Sequence, residues 1–176
     1  TIEAMENINK IANFANRDFL TGAYNRRFFY QDIEEYVQAA EELDEPYAFA
    51  MLDIDHFKKI NDTYGHDGGD KILKSLAKIL TDNTKGRDVV ARFGGEEFCV
   101  VLKKIAKEEA IKFFVNLRAK VAENEVIIKD RIVRVTVSIG ISFGKGHCEI
   151  DDMLEACDSA LYVAKENGRN RVEIAL

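Results

Sequence analysis

Tyr47-Ala-Phe-Ala-Met-Leu-Asp-Ile54 is apolar throughout except for one acid, Asp53, next to its end. A strand with one wet face alternates apolar and polar residues, whereas a run this continuous belongs to a strand buried on both faces. The stretch is therefore read as the central strand of a sheet. Downstream, Gly65 to Gly69 predicts a loop, followed by a helix from Asp70 to about Leu80 that turns Ile72, Leu73, Leu76, Ile79 and Leu80 inward. Val89 to Phe93 and Phe98 to Leu102 read as short strands, and Gly94, Gly95, Glu96 and Glu97 between them predict a hairpin. A right-handed strand-helix-strand crossover makes the strand ending at Phe93 parallel to the one ending at Asp53. The hairpin turn is then expected beside Asp53.

Farther out, a helix is predicted from Lys107 to Val121. Residues 133–143 alternate Val133, Val135, Val137, Ile139, Ile141 and Phe143 with Arg134, Thr136, Ser138, Gly140 and Ser142, a strand with one core face and one that is wet or covered by polar contacts. Asp151 or Asp152 is placed to cap a last helix, Gly168 to end it, and Arg171 to Ile174 to form a closing strand. Upstream, a helix spans Asn25 to Leu43 and cannot continue through Pro46. Ile2, Met5, Ile8, Ile11, Ala12 and Ala15 recur near helical spacing in a short amphipathic helix. The expected fold class is α+β, a central antiparallel sheet with a βαββαβ core and flanking helices. The expected division is a linker helix over residues 1–16 and one domain over residues 17–176.

Composition narrows the function. The 176 residues carry 25 Lys+Arg against 31 Asp+Glu, a net charge of −6, with 47% hydrophobic residues and no basic block. That excludes a disordered chain and disfavours nonspecific nucleic-acid or membrane-surface binding. Any phosphate-bearing ligand must be held by a few placed cations or by metal. Three cysteines, Cys99, Cys148 and Cys157, in apolar or helical surroundings argue against a disulfide framework and for a reducing, cytoplasmic compartment. No apolar run approaches the roughly 18 residues that span a bilayer. The chain opens at Thr1 rather than Met, so an upstream sensory part is expected before it.

Asp53, Glu96 and Glu97 are expected to converge at one sheet edge, with Asp55 two residues on from Asp53. Such acids repel one another unless something positive sits among them, and oxygen donors without His or Cys suit Mg²⁺ or Mn²⁺. Lys58, Lys165 and Arg169 are available cations, although Lys165 and Arg169 also suit the C-terminus of a helix. Asn61 and Asp70 flank the glycine-rich stretch. A carboxylate accepts well from the N1–H and exocyclic amine of guanine, while a turn Asn and a helix-capping Asp are the alternatives. His66 serves either a structural hydrogen bond or a substrate contact.

Asp18-Phe-Leu-Thr-Gly-Ala-Tyr-Asn-Arg-Arg27, Asp53-Ile-Asp-His-Phe-Lys-Lys-Ile-Asn-Asp62, Tyr64-Gly-His-Asp-Gly-Gly-Asp70, Arg92-Phe-Gly-Gly-Glu-Glu-Phe98, Val137-Ser-Ile-Gly140 and Ala160-Leu-Tyr-Val-Ala-Lys165 with Gly168-Arg-Asn170 occur in this order. Together they resemble the motif series of GGDEF-domain diguanylate cyclases, in the GGEEF form of the signature. The resemblance implies a palm-like, nucleotidyl-cyclase core in which two GTP molecules, one per subunit of a transient homodimer, become cyclic di-GMP and two pyrophosphates. It implies two Mg²⁺ per site, Mn²⁺ being possible, on Asp53, the Ile54 carbonyl, Glu96 and Glu97. Glu96, Glu97 and Lys58 form the implied catalytic set, with Glu96 as the base. Asn61 and Asp70 would read guanine, with Phe57 and His66 in the same substrate-binding set, and Lys58, Lys165 and Arg169 would hold phosphates. An inhibitory product site is degenerate here, because Lys85 stands where Arg is expected three residues before Asp88, and a lysine cannot make the bidentate guanidinium contact.

Two other functions compete with an active cyclase. A noncatalytic receptor for GTP or cyclic di-GMP is disfavoured by intact signature acids. A cyclase for other nucleotides is disfavoured by Asp70.

Overall fold

The computed structural model describes residues 1–176. Its elements, in order, are α1 (Ile2–Asn16), β1 (Tyr24–Asn25), α2 (Arg26–Leu43), β2 (Pro46–Ile54), α3 (Phe57–Asn83), β3 (Val89–Gly94), β4 (Glu97–Leu102), α4 (Lys107–Glu123), β5 (Val126–Ile128), β6 (Arg131–Val133), β7 (Val137–Lys145), α5 (Ile150–Glu166) and β8 (Val172–Ile174). The main sheet runs β1-β3-β4-β2-β7-β8. Its four inner strands are antiparallel, as expected, while the edge pairs β1 with β3 and β7 with β8 are parallel.

β2 is central because side-chain parity feeds two cores at once. Ala48, Ala50, Leu52 and Ile54 pack with Ile72, Leu76 and Leu80 of α3 and Phe114 and Leu117 of α4. Tyr47, Phe49 and Met51 pack on the opposite face with Phe29, Ile33 and Val37 of α2 and Cys157 and Leu161 of α5. The same parity sends Asp53 to the α5 side.

Several local expectations change. The Gly65–Gly69 stretch is helical: α3 runs through it with a single kink at Gly65 (φ 75°). Gly69 lies in the helix directly under the Asn61 amide oxygen, which a Cβ there would displace. The strand read over 133–143 is broken between β6 and β7, and β6 folds back on β5 as a separate hairpin. Of the two expectations for the polar face of β7, cover by polar contacts is the one met: Ser138 donates to Asp55 and Ser142 to the Met153 carbonyl. α5 lies directly on this face at Gly140, where any Cβ would overlap the backbone of Cys157 and Leu161, and Ser138 and Ser142 are buried. Neither Asp151 nor Asp152 caps α5. Glu149 is the N-cap residue, and the two aspartates lie in the first turn, where they complement the helix dipole.

Candidate functional site

β2 and β3 both run antiparallel to β4, so they end at one edge of the sheet, and the β3–β4 turn lies beside the end of β2. Asp53 is directly opposite Glu97 in the β2–β4 register, and the Ile54 N–H donates to the Glu96 carbonyl at 3.4 Å. Asp53 is buried, Glu96 half-buried and Glu97 exposed. Burial pushes the Asp53 carboxyl above its usual range, with Glu96 and Asp55 adding to the rise while Lys165 opposes it. Burial also raises Glu97, and the charges on Asp53 and Asp158 raise it further.

The expected convergence is only partial. No three acidic side chains close on a common point. The positive charge among them is Lys165, whose ammonium donates to Asp53 Oδ2 at 2.7 Å. It sits in the last turn of α5, so it meets β2 across the layer rather than remaining a free helix-end cation. The donor chemistry still suits a hard divalent ion, because the edge offers carboxylate and carbonyl oxygens only.

Asp55 directs its hydrogen bonds elsewhere. It is 6% exposed and accepts three hydrogen bonds, from Thr136 Oγ1 and Ser138 Oγ at 2.6 Å and from the Asn170 N–H at 3.0 Å. Nothing in the local sequence separates it from Asp53, because all three partners of its carboxylate are distant in the chain.

α3 starts three residues after Ile54 and carries Phe57, Lys58 and Asn61 on its first turns. Phe57 is buried and Lys58 exposed. The Asn61 side chain lies over Gly69, which brings it next to Asp70 across the Gly65 kink, and Asp70 is half-buried. His66 is exposed at the kink. Arg169 lies in the left-handed turn after α5 (φ 64°) with an exposed side chain.

Arg92 belongs to a quoted motif but had no assigned role. Its Nε and Nη2 donate to the Gly95 carbonyl at 3.0 and 2.8 Å, and Nη1 donates to both Asp18 oxygens. It thereby ties the signature turn to the Asp18–Thr21 turn. A lone Arg beside a glycine turn carries no such signal in sequence.

Lys85 and Asp88 sit in the turn between α3 and β3. Asp88 accepts from the Lys85 N–H at 2.9 Å and from the Lys103 N–H at 3.0 Å, so both of its oxygens hold backbone. Lys85 is exposed, and across a shallow cleft from it Arg17 stacks on Tyr24, 3.7 Å from the ring centre.

A four-stranded antiparallel core, crossed by β2-α3-β3 and ending in an acidic edge, defines a palm-type domain of the nucleotidyl-cyclase kind. Comparison with known proteins resolves the class further. Residues 15–171 match the family "Diguanylate cyclase, GGDEF domain", and the chain belongs to it. It is 34% identical to diguanylate cyclase DosC of Escherichia coli strain K12 over 158 residues, 89% of this chain and 34% of that protein. It is 35% identical to diguanylate cyclase A of Treponema denticola over 173 residues, 96% of this chain and 47% of that protein. The chain thus spans between about a third and a half of the length of these relatives. Among solved structures, the coiled coil and GGDEF domain of DgcB from Caulobacter crescentus in complex with c-di-GMP superposes with a TM-score of 0.92 at 30% identity, covering 98% of this chain and 92% of that one.

Proposed function

We propose that this domain is a diguanylate cyclase that condenses two GTP into cyclic di-GMP and two pyrophosphates, as the output domain of a bacterial signalling protein. The observation that carries the reading is the register Asp53 opposite Glu97, with Lys165 on Asp53 and the Asn61–Asp70 pair on the helix that leaves the same edge. The names of the relatives support it.

In this reading Asp53, the Ile54 carbonyl, Glu96 and Glu97 hold two divalent ions, Mg²⁺ or Mn²⁺. Such ions, when bound, lower the pKa of an attacking hydroxyl and neutralise charge on the leaving pyrophosphate. Glu96 takes the proton of the 3′-hydroxyl, being the acid carried by the turn itself. Asp70 accepts from the guanine edge while the Asn61 amide serves a neighbouring base atom. Lys58, Lys165 and Arg169 hold the triphosphate, Lys165 exchanging Asp53 for phosphate oxygens. Phe57 and His66 complete the substrate-binding set.

One domain offers one such edge, whereas a two-fold symmetric ring needs two 3′-hydroxyl attacks. Two copies facing each other supply both. Ile2, Met5, Ile8 and Ile11 of α1 are between 64% and 79% exposed and α1 buries no residue, so the stripe is free to pair as a coiled coil. The coiled coil named in the DgcB structure supports that role for residues 1–16. The three free cysteines support a reducing, cytoplasmic setting.

The deciding experiment incubates the purified chain with GTP and Mg²⁺ and identifies products by mass spectrometry. Cyclic di-GMP and pyrophosphate are expected, and Glu96→Gln should cut turnover by at least about a hundredfold with an unchanged melting temperature. Intact GTP with the wild-type chain at high concentration would overturn the reading.

A further inference from the structure

Asp55 is a buried carboxylate at a chemically crowded edge, yet all its hydrogen bonds go to the scaffold. Its Oδ1 accepts from Ser138, and its Oδ2 accepts from Thr136 and from the Asn170 N–H. Its own N–H donates to the Thr136 carbonyl at 2.9 Å. The first two partners lie at the start of β7 and just before it. The third lies in the turn that follows α5, and that turn carries Arg169.

This turn does not hold its shape by sequence. Arg169 and Asn170 both have left-handed backbone, φ 64° and 46°, although neither is glycine. Two successive residues in that region are unfavourable and persist only where their surroundings over-determine them. Three contacts do so. The Arg169 N–H donates to the Ala164 carbonyl at 2.9 Å, Arg118 Nη1 of α4 donates to Asn170 Oδ1 at 2.8 Å, and Asp55 takes the Asn170 N–H. The first ties the turn to its own helix and the second to α4. Lys165 holds the end of α5 to Asp53, and the Asp55 bond holds the turn itself to the same segment, two residues from Asp53.

We propose that Asp55 is a positioning residue that sets the distance between the acidic edge and Arg169, and through it the placement of a nucleotide triphosphate. The inference rests on the reading of Arg169 as a phosphate-binding cation. A carboxylate suits the task because its two oxygens take two hydroxyls and a backbone N–H together. Its buried charge is answered by those three donors. An Asn can keep the tether: its carbonyl accepts from Asn170 and Thr136 while its amide donates to the Ser138 hydroxyl.

The test is a double-mutant cycle on the KM for GTP, measured at saturating Mg²⁺ and fixed enzyme concentration. Asp55→Ala and Arg169→Ala should each raise KM by about tenfold, the loss expected for one charge-assisted contact. The double variant should be no worse in KM than Arg169→Ala alone. Asp55→Asn should return KM to within about threefold of wild type. If Asp55→Ala does not fold, Thr136→Val with Ser138→Ala, which loosens the carboxylate but leaves it in place, should raise KM by a few fold, and only when Arg169 is present. Multiplying KM losses in the double variant, or a fall in kcat with KM unchanged, would overturn the positioning role. An Arg169→Ala variant with wild-type KM would overturn it together with the phosphate assignment, while leaving Glu96-dependent product formation standing.

Discussion

Lys165 Nζ lies 2.7 Å from Asp53 Oδ2, joining residues 112 apart in the chain, and the Asp53 side chain of this pair is only 8% exposed. In the absence of metal, this ammonium is what allows an acid to be buried next to Glu96 and Glu97. The pair also means that a cation arriving at Asp53 competes with a lysine already there.

Removing the lysine should therefore destabilise the metal-free protein and sharpen its response to metal. Lys165→Met is expected to cost about 1–2 kcal/mol, or roughly 3–6 °C in Tm, because a buried carboxylate loses its partner. Added Mg²⁺ should raise the Tm of the variant more than that of wild type. Equal Mg²⁺ shifts in the two proteins, read by thermal melting, would show that Lys165 does not compete at Asp53.

Asp70→Ser deletes the only charged acceptor proposed for the base edge and leaves Lys165, Arg169 and the acids in place. Selectivity for GTP over ATP should fall by about ten- to a hundredfold, the value of a charged hydrogen bond. Competition in GTP/ATP mixtures, with products separated by mass, checks this. Undiminished GTP preference would move guanine recognition elsewhere.

Inhibition by cyclic di-GMP should be weak. Asp88 spends both oxygens on backbone N–H groups and Lys85 offers a point charge in place of a fork. Lys85→Arg is expected to tighten inhibition by about tenfold. Submicromolar inhibition of the wild-type chain would contradict the prediction.

Two acids should move stability with pH in opposite directions. Burial raises Asp53 above its usual 3.8, so the folded state holds that proton more tightly. Relative to Asp53→Asn, wild-type stability should increase as pH falls from neutral toward 3.8. At Asp18 burial opposes but loses to hydrogen bonds from Thr21 and Arg92, which hold its carboxyl below 3.8. Relative to Asp18→Asn, the stabilisation should be complete above 3.8 and vanish as pH falls below it. Denaturant melts across this range, without divalent metal, distinguish the two slopes.

Assembly should limit the rate. α1 has 15 residues, too short for a tight coiled coil alone, so the isolated chain is expected to be mostly monomeric with specific activity rising with enzyme concentration. Fusing a strong coiled coil ahead of Thr1 in a compatible register should raise activity at nanomolar enzyme. Flat specific activity in a species shown monomeric by light scattering would rule out paired subunits.

Elements whose signals are local are legible without the fold. The unbroken apolar run of β2, the glycine hairpin between β3 and β4, the stop at Pro46 and the helical stripes of α1, α2 and α5 are written in neighbouring residues. Once β2, α3 and β3 are recognised, the handedness of one crossover brings Asp53 and Glu97 together. Tertiary structure alone decided what these groups touch. Asp53 and Asp55 look alike in sequence, yet one meets Lys165 and the other Thr136, Ser138 and Asn170, because the start of β7 arrives from 81 and 83 residues away and α5 with its turn from 112 and 115. The glycines before Asp70 read as a loop because their freedom is a local property, whereas the demand they meet, Asn61 lying on Gly69 inside a kinked helix, is one of packing. The alternation of β7 likewise reports a polar face without reporting that α5 covers it. Periodicity records which side of an element is apolar, and the identity of the partner is settled only when the layers close.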